Sequence, residues 1–149
     1  MSDISHITSF KGSCHCGNIG MAFETLRKPA QFNPRACDCS FCQKHGVAYI
    51  SDPLGKLHIS IRNGAALKEY RQGSKSARFL LCNDCGVCIG TVFDHENSTY
   101  GAINARCLDS ESGFGDTLPA SPRKLATNEK ISRWLELWIP DVIITPLDA

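Results

Sequence analysis

Two separated pairs of cysteines constrain this chain more than any other feature of its sequence. Cys14 and Cys16 lie near the start, and Cys82 and Cys85 lie past the middle. A tetrahedral zinc ion binds four thiolates at about 2.3 Å each, so neither pair can complete a site alone. We therefore predict that the two pairs share one structural zinc ion, which holds Cys16 next to Cys82 and makes metal binding part of the folding free energy.

A third group of cysteines lies between the two pairs and offers three sulfur atoms. Its members are Cys37, Cys39 and Cys42, in the run Cys-Asp-Cys-Ser-Phe-Cys. A zinc ion with three protein ligands keeps one open position, which is the usual difference between a catalytic and a structural site. Three thiolates outweigh the charge of Zn²⁺, so this ion would be a weak Lewis acid but would bind another thiol as its thiolate. The group therefore predicts a catalytic zinc ion and a thiol substrate.

The sequence leaves other interpretations of the cysteines open. The middle group could be a second structural site that is completed by Cys88, His45 or Cys107. Cys88 also follows the second pair at a spacing that imitates part of a ferredoxin motif, although the Cys-x-Cys spacings elsewhere fit an iron–sulfur cluster poorly. A zinc deaminase is disfavoured, because the His-x-Glu and Pro-Cys-x-x-Cys motifs of that class are missing. We expect Cys88 and Cys107 to be inert thiols, and His45 is the first histidine to test as a proton carrier.

Composition and charge exclude several classes of protein. The cysteine count is nine, an odd number, and the N-terminal residues lack the pattern of a secretory signal, so thiols and metal are favoured over disulfides. The chain has 16 basic and 15 acidic residues without a basic block, which argues against nucleic-acid binding. Its apolar runs fall far short of the roughly 20 residues that span a bilayer. We expect a cytoplasmic protein with neither a nucleic-acid nor a membrane partner.

The pattern of apolar and turn residues predicts a mainly β protein with little helix. Strands are expected at residues 7–10, 19–23, 47–50, 57–61, 67–70, 77–81, 87–93 and 99–104. Turns are expected at Asn63-Gly64 and at Gln72-Gly73-Ser74, and irregular structure is expected at 24–36 and 109–122.

Two short segments predict helix or leave the type of element open. Ser40 is expected to cap a helical turn that runs to His45 and ends at Gly46. Residues 131–139 fit a helix or a strand equally well, with Trp134 and Trp138 as packing residues in both cases.

The order and spacing of these motifs resemble the glutathione-dependent formaldehyde-activating enzyme family, also called the centromere-protein-V/GFA domain. The similar runs are Gly-Ser-Cys-His-Cys-Gly at 12–17, Cys-Asp-Cys-Ser-Phe-Cys at 37–42, Lys-His-Gly at 44–46 and Cys-Asn-Asp-Cys-Gly at 82–86. The resemblance covers residues 8–140 and implies a single domain there, with extensions at 1–7 and 141–149. It also implies an Mss4-like fold of antiparallel β-sheets with zinc knuckles.

The resemblance further implies two zinc ions per chain and a reaction. The implied structural zinc ligands are Cys14, Cys16, Cys82 and Cys85, and the implied catalytic zinc ligands are Cys37, Cys39 and Cys42. The implied enzyme is a carbon–sulfur lyase, similar to S-(hydroxymethyl)glutathione synthase, whose partners are a small thiol such as glutathione and a small aldehyde such as formaldehyde. The alternative, from a different class, is a non-catalytic binding module that zinc stabilises.

Three departures from the family pattern bear on the identity of the substrate. Asp38 stands where the family often has histidine, Leu81 stands where it often has phenylalanine, and residues 105–109 replace a Gly-Thr-Leu-Asp-like stretch. These changes leave the predicted metal ligands intact, and members of one family need not share a substrate.

Overall fold

The computed structural model describes residues 7–62, 67–71, 76–109 and 113–146. Within these ranges the strands are β1 (Thr8–Ser13), β2 (Ile19–Thr25), β3 (Arg35–Cys37), β4 (Tyr49–Ile50), β5 (Lys56–Ile61), β6 (Leu67–Tyr70), β7 (Arg78–Cys82), β8 (Cys88–His95), β9 (Ser98–Asn104), β10 (Leu118–Ala120) and β11 (Asp141–Pro146). The α-helices of the described ranges are α1 (Ser40–His45) and α2 (Thr127–Leu137). The predicted mainly β class with little helix is confirmed. No helix in these ranges is both long enough and apolar enough to cross a membrane.

The strands form two sheets. One sheet has four strands in the order β1-β2-β5-β11, and the other has seven in the order β10-β3-β4-β9-β8-β7-β6. Most neighbours are antiparallel, as predicted, but β11 runs parallel to β5 and β10 runs parallel to β3. The β11 strand lies beyond residue 140, so the expected domain boundary falls directly before a strand of the first sheet.

The seven-stranded sheet is the middle layer of the described fold. Successive residues of a strand point to opposite faces, and β8 is buried on both. Val92 packs toward the four-stranded sheet, in a core with Phe23 and Ile59, whereas Phe93 packs toward α2. The rings of Phe93 and Trp134 lie 5.0 Å apart. This second face of the sheet is where the three-cysteine group and α2 meet.

Several local predictions need correction. The expected loop at 24–36 contains the end of β2 and the start of β3, and the expected irregular stretch at 109–122 contains β10. The strand predicted over 47–50 is restricted to Tyr49–Ile50. The turns predicted at residues 63–64 and 72–74 lie outside the described residues. The undecided segment at 131–139 is helical as far as Leu137, and Trp134 and Trp138 are buried there, as predicted for packing residues.

The helix α1 begins differently from the prediction. Its N-cap residue is Cys39, whose Sγ accepts a hydrogen bond from the Cys42 backbone N–H at 3.4 Å, so the prediction of a Ser40 cap is wrong. The sulfur takes the role that a hydroxyl oxygen usually has at this position. Gly46 ends the helix in the left-handed conformation, with φ of 67°, as predicted. A predicted metal ligand therefore also fixes the start of the helix.

Candidate functional site

The fold brings the first and last cysteine pairs together. Cys14 and Cys16 lie in the turn between β1 and β2, and Cys82 and Cys85 lie at the turn between β7 and β8. Their four Sγ atoms are all within 4.8 Å of one another, although Cys16 and Cys82 are separated by 66 positions in the sequence. Because β2 and β7 belong to different sheets, this group joins the two sheets.

The sulfur geometry of this group fits a tetrahedral zinc ion. At about 2.3 Å per Zn–S bond, two ligands of one ion lie about 3.8 Å apart. The distance is 3.7 Å between the Sγ atoms of Cys14 and Cys16, and 3.5 Å between those of Cys16 and Cys82. The amide of Ile19 donates to Cys14 Sγ at 3.3 Å, and the amide of Cys85 donates to Cys82 Sγ at 3.4 Å. Such donors stabilise thiolates, which are the form that binds metal.

Further hydrogen bonds reinforce this group. The side-chain amide of Asn18 donates to the Asp84 carboxylate, which links the two cysteine turns directly. Burial opposes ionisation of Cys85, but hydrogen bonds from the backbone of Val87 and Cys16 outweigh it and lower the pKa of this thiol to about 6. His15, between Cys14 and Cys16, is exposed.

The middle cysteines form a second group on the other face of the large sheet. Cys37 ends β3, Cys39 caps α1, and Cys42 lies in the first turn of α1. Their Sγ atoms are also within 4.8 Å of one another. The hydrogen bond with Cys42 lowers the pKa of Cys37 to about 6, whereas the pKa of Cys42 is raised by the same contact and by burial. One thiolate is therefore available at neutral pH to begin binding a metal.

The three candidates for a fourth ligand lie outside the middle group. Among the described residues, the middle group consists of three cysteine Sγ atoms, and no further ligand atom belongs to it. His45 is exposed and its ring packs on Phe41, at 4.5 Å between centroids. Cys88 and Cys107 are buried, and burial raises their thiol pKa values to about 11 and about 12. Cys88 also lies outside the four-cysteine group, which removes the geometric basis for an iron–sulfur cluster on that motif.

A cavity of about 240 Å³ opens beside the middle group. Besides the three middle cysteines, most of its lining side chains are aromatic or cationic. The other lining residues are Arg35, Tyr49, Ala77, Phe79, Thr91, Ala120, Pro122, Arg123, Lys130, Arg133, Trp134 and Trp138. The four-cysteine group does not line this cavity. A metal bound by the middle cysteines would therefore face a space of the size of a small ligand.

Tyr49 is a cavity residue that the sequence did not single out. Its ring is buried, and its hydroxyl lies 3.3 Å from Cys42 Sγ. Burial raises the pKa of Tyr49 well above its usual range, so the hydroxyl keeps its proton and donates it in a hydrogen bond when Cys42 is a thiolate. Nothing in the run Val-Ala-Tyr-Ile marks this tyrosine in the sequence, because the partner sulfur comes from another element.

Asp38, the first of the three departures described above, helps to fix one side of the cavity. Its carboxylate accepts hydrogen bonds from Ser121 Oγ at 2.6 Å and from Arg123 Nε at 3.1 Å. The Ser121 contact lowers the pKa of Asp38, and Arg123 adds to this effect. The backbone amide of Asp38 donates to the Ala120 carbonyl at 2.9 Å. The loop that carries Cys37 and Cys39 is thus tied to the segment that carries Arg123 into the wall.

Arg35 gives the cavity a strongly cationic side. Burial lowers the pKa of Arg35 to about 10, and repulsion from Arg133 and Arg27 contributes to the shift. The guanidinium still carries its charge at neutral pH. Its Nη2 donates to Ser51 Oγ at 2.8 Å, and Ser51 donates in turn to the Leu137 carbonyl at the end of α2.

Comparison with known proteins adds a family and a fold. The family described as glutathione-dependent formaldehyde-activating enzyme matches residues 9–120 of this chain. A Rhodobacter sphaeroides protein of known crystal structure has a similar fold, with a TM-score of 0.56 and 25% sequence identity over 74% of this chain and 99% of that chain. No curated protein is a significant match to this sequence. The matched range includes both cysteine groups and ends before Arg123 and α2.

Proposed function

This chain belongs to the glutathione-dependent formaldehyde-activating enzyme family, and we propose that it is a zinc-dependent carbon–sulfur lyase that joins a thiol to a small aldehyde. One observation carries the proposal: Cys37, Cys39 and Cys42 line a cavity, and no fourth ligand closes their group among the described residues. The group that includes Cys14 has four sulfurs and is assigned a structural zinc ion. Each chain would then bind two zinc ions, of which the one at the middle group is catalytic.

The middle group would supply a binding position for the sulfur of the substrate. Cys37, Cys39 and Cys42 would hold this zinc ion, and with three thiolate ligands it would supply a position at which an added thiol is bound as its nucleophilic thiolate at neutral pH. When Cys42 is a thiolate, the Tyr49 hydroxyl, 3.3 Å from Cys42 Sγ, donates a hydrogen bond to it and so withdraws electron density from that sulfur. The buried rings of Trp134 and Trp138 form an apolar side of the cavity and limit the access of water.

The reaction is balanced without an oxidant or a reductant. The substrate sulfur forms a bond to the aldehyde carbon, and the π bond of the carbonyl breaks. The thiol loses one proton and the carbonyl oxygen gains one, so no net proton is consumed or released. The product is a hydroxyalkyl thioether. Glutathione and formaldehyde, the pair in the family name, are the first substrates to test.

An exchange experiment tests this proposal. Formaldehyde and glutathione are mixed with the zinc-loaded protein, and the rate of exchange between free and thiol-bound formaldehyde is measured by NMR. The wild type should accelerate exchange, whereas Cys39→Ser should lose the acceleration, because the serine can still cap α1 but cannot supply a thiolate. Cys107→Ser is the matched control, since Cys107 belongs to neither cysteine group.

Two results would count against the enzyme. Exchange at the uncatalysed rate with the wild type, or equal rates for the wild type and Cys39→Ser, would exclude formaldehyde and glutathione as the substrate pair at this site. Two bound zinc ions without acceleration of any thiol–aldehyde pair would favour the non-catalytic zinc-stabilised module.

A further inference from the structure

Residues 118–126 form one side of the cavity beside the middle cysteines, and we call this segment the strap. It contains β10 and the 3-10 turn Pro122–Lys124 that follows it. Ala120, Pro122 and Arg123 of the strap line the cavity. The structure describes the whole strap, and none of its residues is buried. Hydrogen bonds, rather than the burial of apolar side chains, therefore hold the strap in place.

The chain on either side of the strap is fixed by aromatic packing. Before the strap, the ring centroid of Phe114 lies 5.4 Å from that of Phe10 and 6.1 Å from that of Phe32. After the strap, Trp134 of α2 is buried and stacks on Trp138, at 4.8 Å between centroids. A segment with few buried contacts can open locally at a low cost in free energy. The strap can therefore move without loss of the packing at either end.

The Asp38 side chain holds the middle of the strap. Its carboxylate accepts hydrogen bonds from Ser121 Oγ at 2.6 Å and from Arg123 Nε at 3.1 Å. The backbone of Asp38 is fixed as well, because its amide donates to the Ala120 carbonyl and its carbonyl accepts from the Gln43 side-chain amide, each at 2.9 Å. A single residue thus connects the strap with α1.

A short β-ladder is a further attachment of the strap. The strand β10 pairs in parallel with β3 over three residues, at the edge of the large sheet. The amide of Leu118 donates to the Pro34 carbonyl at 2.8 Å. Pro119, the middle residue of β10, has no amide hydrogen and cannot donate to the ladder. Because this ladder is short and incomplete, the contacts of Asp38 are a large part of what holds the strap.

We propose that Asp38 is a latch for the strap, and that release of its contacts with Ser121 and Arg123 opens the cavity to molecules from solution. Asp38 acts through the strap and is therefore a positioning residue. The side chains of Arg123 and Asp38 are 55% and 26% exposed, so water and salt compete for this ion pair without unfolding the protein. The inference goes beyond the proposed function, because the latch would control access equally in an enzyme and in a non-catalytic module.

Hydrogen exchange, followed by NMR in the zinc-loaded protein, measures opening of the strap. The amide of Leu118, which donates to the Pro34 carbonyl, is the reporter. Asp38→Ala, and the double variant Ser121→Ala with Arg123→Gln, should each raise its exchange rate about five- to tenfold, because hydrogen bonds to a charged group and an exposed ion pair are lost. Amides of β8 and β9 should exchange at the wild-type rate, since the core is not affected.

Quenching of tryptophan fluorescence by acrylamide measures access to the cavity. Trp134 and Trp138 are the two tryptophans of the chain, and both line the cavity. Acrylamide is uncharged, so salt does not alter its approach. Quenching of the wild type should increase with the concentration of sodium chloride, because salt screens the ion pair of the latch. Asp38→Ala and the double variant should be quenched more strongly at low salt and should lose most of this salt dependence.

A conservative variant tests whether the carboxylate acts through its hydrogen bonds. Asp38→Asn keeps an oxygen acceptor for Ser121 but loses the charge that pairs with Arg123. Its hydrogen exchange and its quenching should lie between those of the wild type and those of Asp38→Ala. Arg106→Gln and Ser98→Ala are the controls, because both residues are exposed and neither lines the cavity. Circular dichroism checks that each variant is folded.

The outcomes separate this inference from the proposed function. Unchanged hydrogen exchange and quenching in the folded double variant would overturn the latch, even if Asp38→Ala differs from the wild type, because that difference would then come from the adjacent cysteines. Faster exchange and stronger quenching in Asp38→Ala and in the double variant, together with no acceleration of formaldehyde exchange by the wild type, would support the latch and count against the lyase.

Discussion

Tyr49 shows how a residue outside the cysteine motifs can support the middle site. Its hydroxyl is buried and lies 3.3 Å from Cys42 Sγ. Partners that hydrogen-bond to metal ligands orient them and tune their basicity, and their loss typically reduces metal affinity or activity by about 10-fold to 100-fold. The hydroxyl of Tyr49 should therefore strengthen zinc binding, while its ring packs in the core.

Tyr49→Phe tests this role. Zinc affinity of the middle site should fall by about tenfold or more, because the donor is lost while the ring still fills its place. Competition with a chelator measures the affinity, and circular dichroism reports the fold. Tyr100→Phe is the matched control, since Tyr100 packs beside Phe93 and does not line the cavity. Unchanged zinc affinity in Tyr49→Phe would show that the hydroxyl has no such role.

Cys37 should be the reactive thiol of the middle site when its metal is absent. The contact with Cys42 lowers the pKa of Cys37 to about 6, so it is a thiolate above that pH and a thiol below it. After a mild chelator has removed this metal alone, alkylation of Cys37 should rise through a midpoint near pH 6. Cys88 and Cys107 should stay unmodified at pH 7, because their pKa values are about 11 and about 12.

Mass spectrometry of peptides after timed alkylation gives each rate. A midpoint for Cys37 near that of an ordinary thiol, about 8.5, would contradict the assignment. Alkylation of Cys107 at the same rate as Cys37 would show that the protein had opened during removal of the metal.

At the residue scale, the features that could be predicted are those that depend on the spacing of neighbouring residues in the sequence. Both cysteine groups follow from motifs of a few residues. Tyr49, Arg35 and Arg133 could not be predicted, because a tyrosine in an apolar strand and an arginine among other surface charges become distinctive only when distant elements place them in one cavity. His45, the first histidine to test as a proton carrier, is exposed and packs on Phe41.

The helix α1 and its N-cap residue fix the relative positions of two of the three middle cysteines. The helix is short, so its ends decide its stability. Cys39 caps the first turn of α1. At the last turn, the backbone amide of Gly46 donates to the carbonyls of Cys42 and Gln43. Any change that loosens either end should also disturb the distance between Cys39 and Cys42.

Gly46→Ala tests this coupling. The residue has φ of 67°, and an added Cβ would have no neighbour within 4 Å, so the cost is conformational and amounts to roughly 1–2 kcal/mol. Urea unfolding should show that loss, and the middle site should release zinc faster to a chelator. Gly20→Ala is the control, because its Cβ would make an ordinary contact at 3.9 Å and its φ is not positive. Equal stability of Gly46→Ala and Gly20→Ala would contradict this account of α1.

At the element scale, strands with strong alternation were predictable and the shortest ones were not. The burial pattern of β5 alternates, so its apolar residues could be recognised from the sequence. The strands β3 and β10 have three residues each, and they pair in parallel across a long separation in the chain. No local pattern encodes such a pair. Its position depends on tertiary contacts such as Ser121 with Asp38.

At the scale of the whole molecule, the two cysteine groups should make different contributions to stability. The four-cysteine group joins a turn of the small sheet to a turn of the large one, across 66 positions of sequence. The three-cysteine group lies within one sheet and its adjoining helix. Loss of the first metal should therefore affect the packing of both sheets, whereas loss of the second should remain local.

Cys85→Ser and Cys39→Ser test this difference. Binding of a structural zinc ion is coupled to folding, so Cys85→Ser should unfold or lose several kcal/mol of stability. Cys39→Ser should lose one zinc ion per chain and keep the far-ultraviolet circular dichroism of the wild type. Urea unfolding and metal analysis measure both effects, with Cys107→Ser as the control. A Cys85→Ser protein as stable as the wild type would show that the group does not hold the sheets together.

The most direct test is the anomalous scattering of zinc in crystals of the zinc-loaded protein, measured on both sides of the zinc absorption edge. Two peaks are expected, one among Cys14, Cys16, Cys82 and Cys85, and one among Cys37, Cys39 and Cys42. The second ion should have no fourth ligand from the protein and should gain a sulfur ligand when the crystals are soaked in a thiol. A fourth side chain on that ion, or no ion among the middle cysteines, would contradict the proposed site.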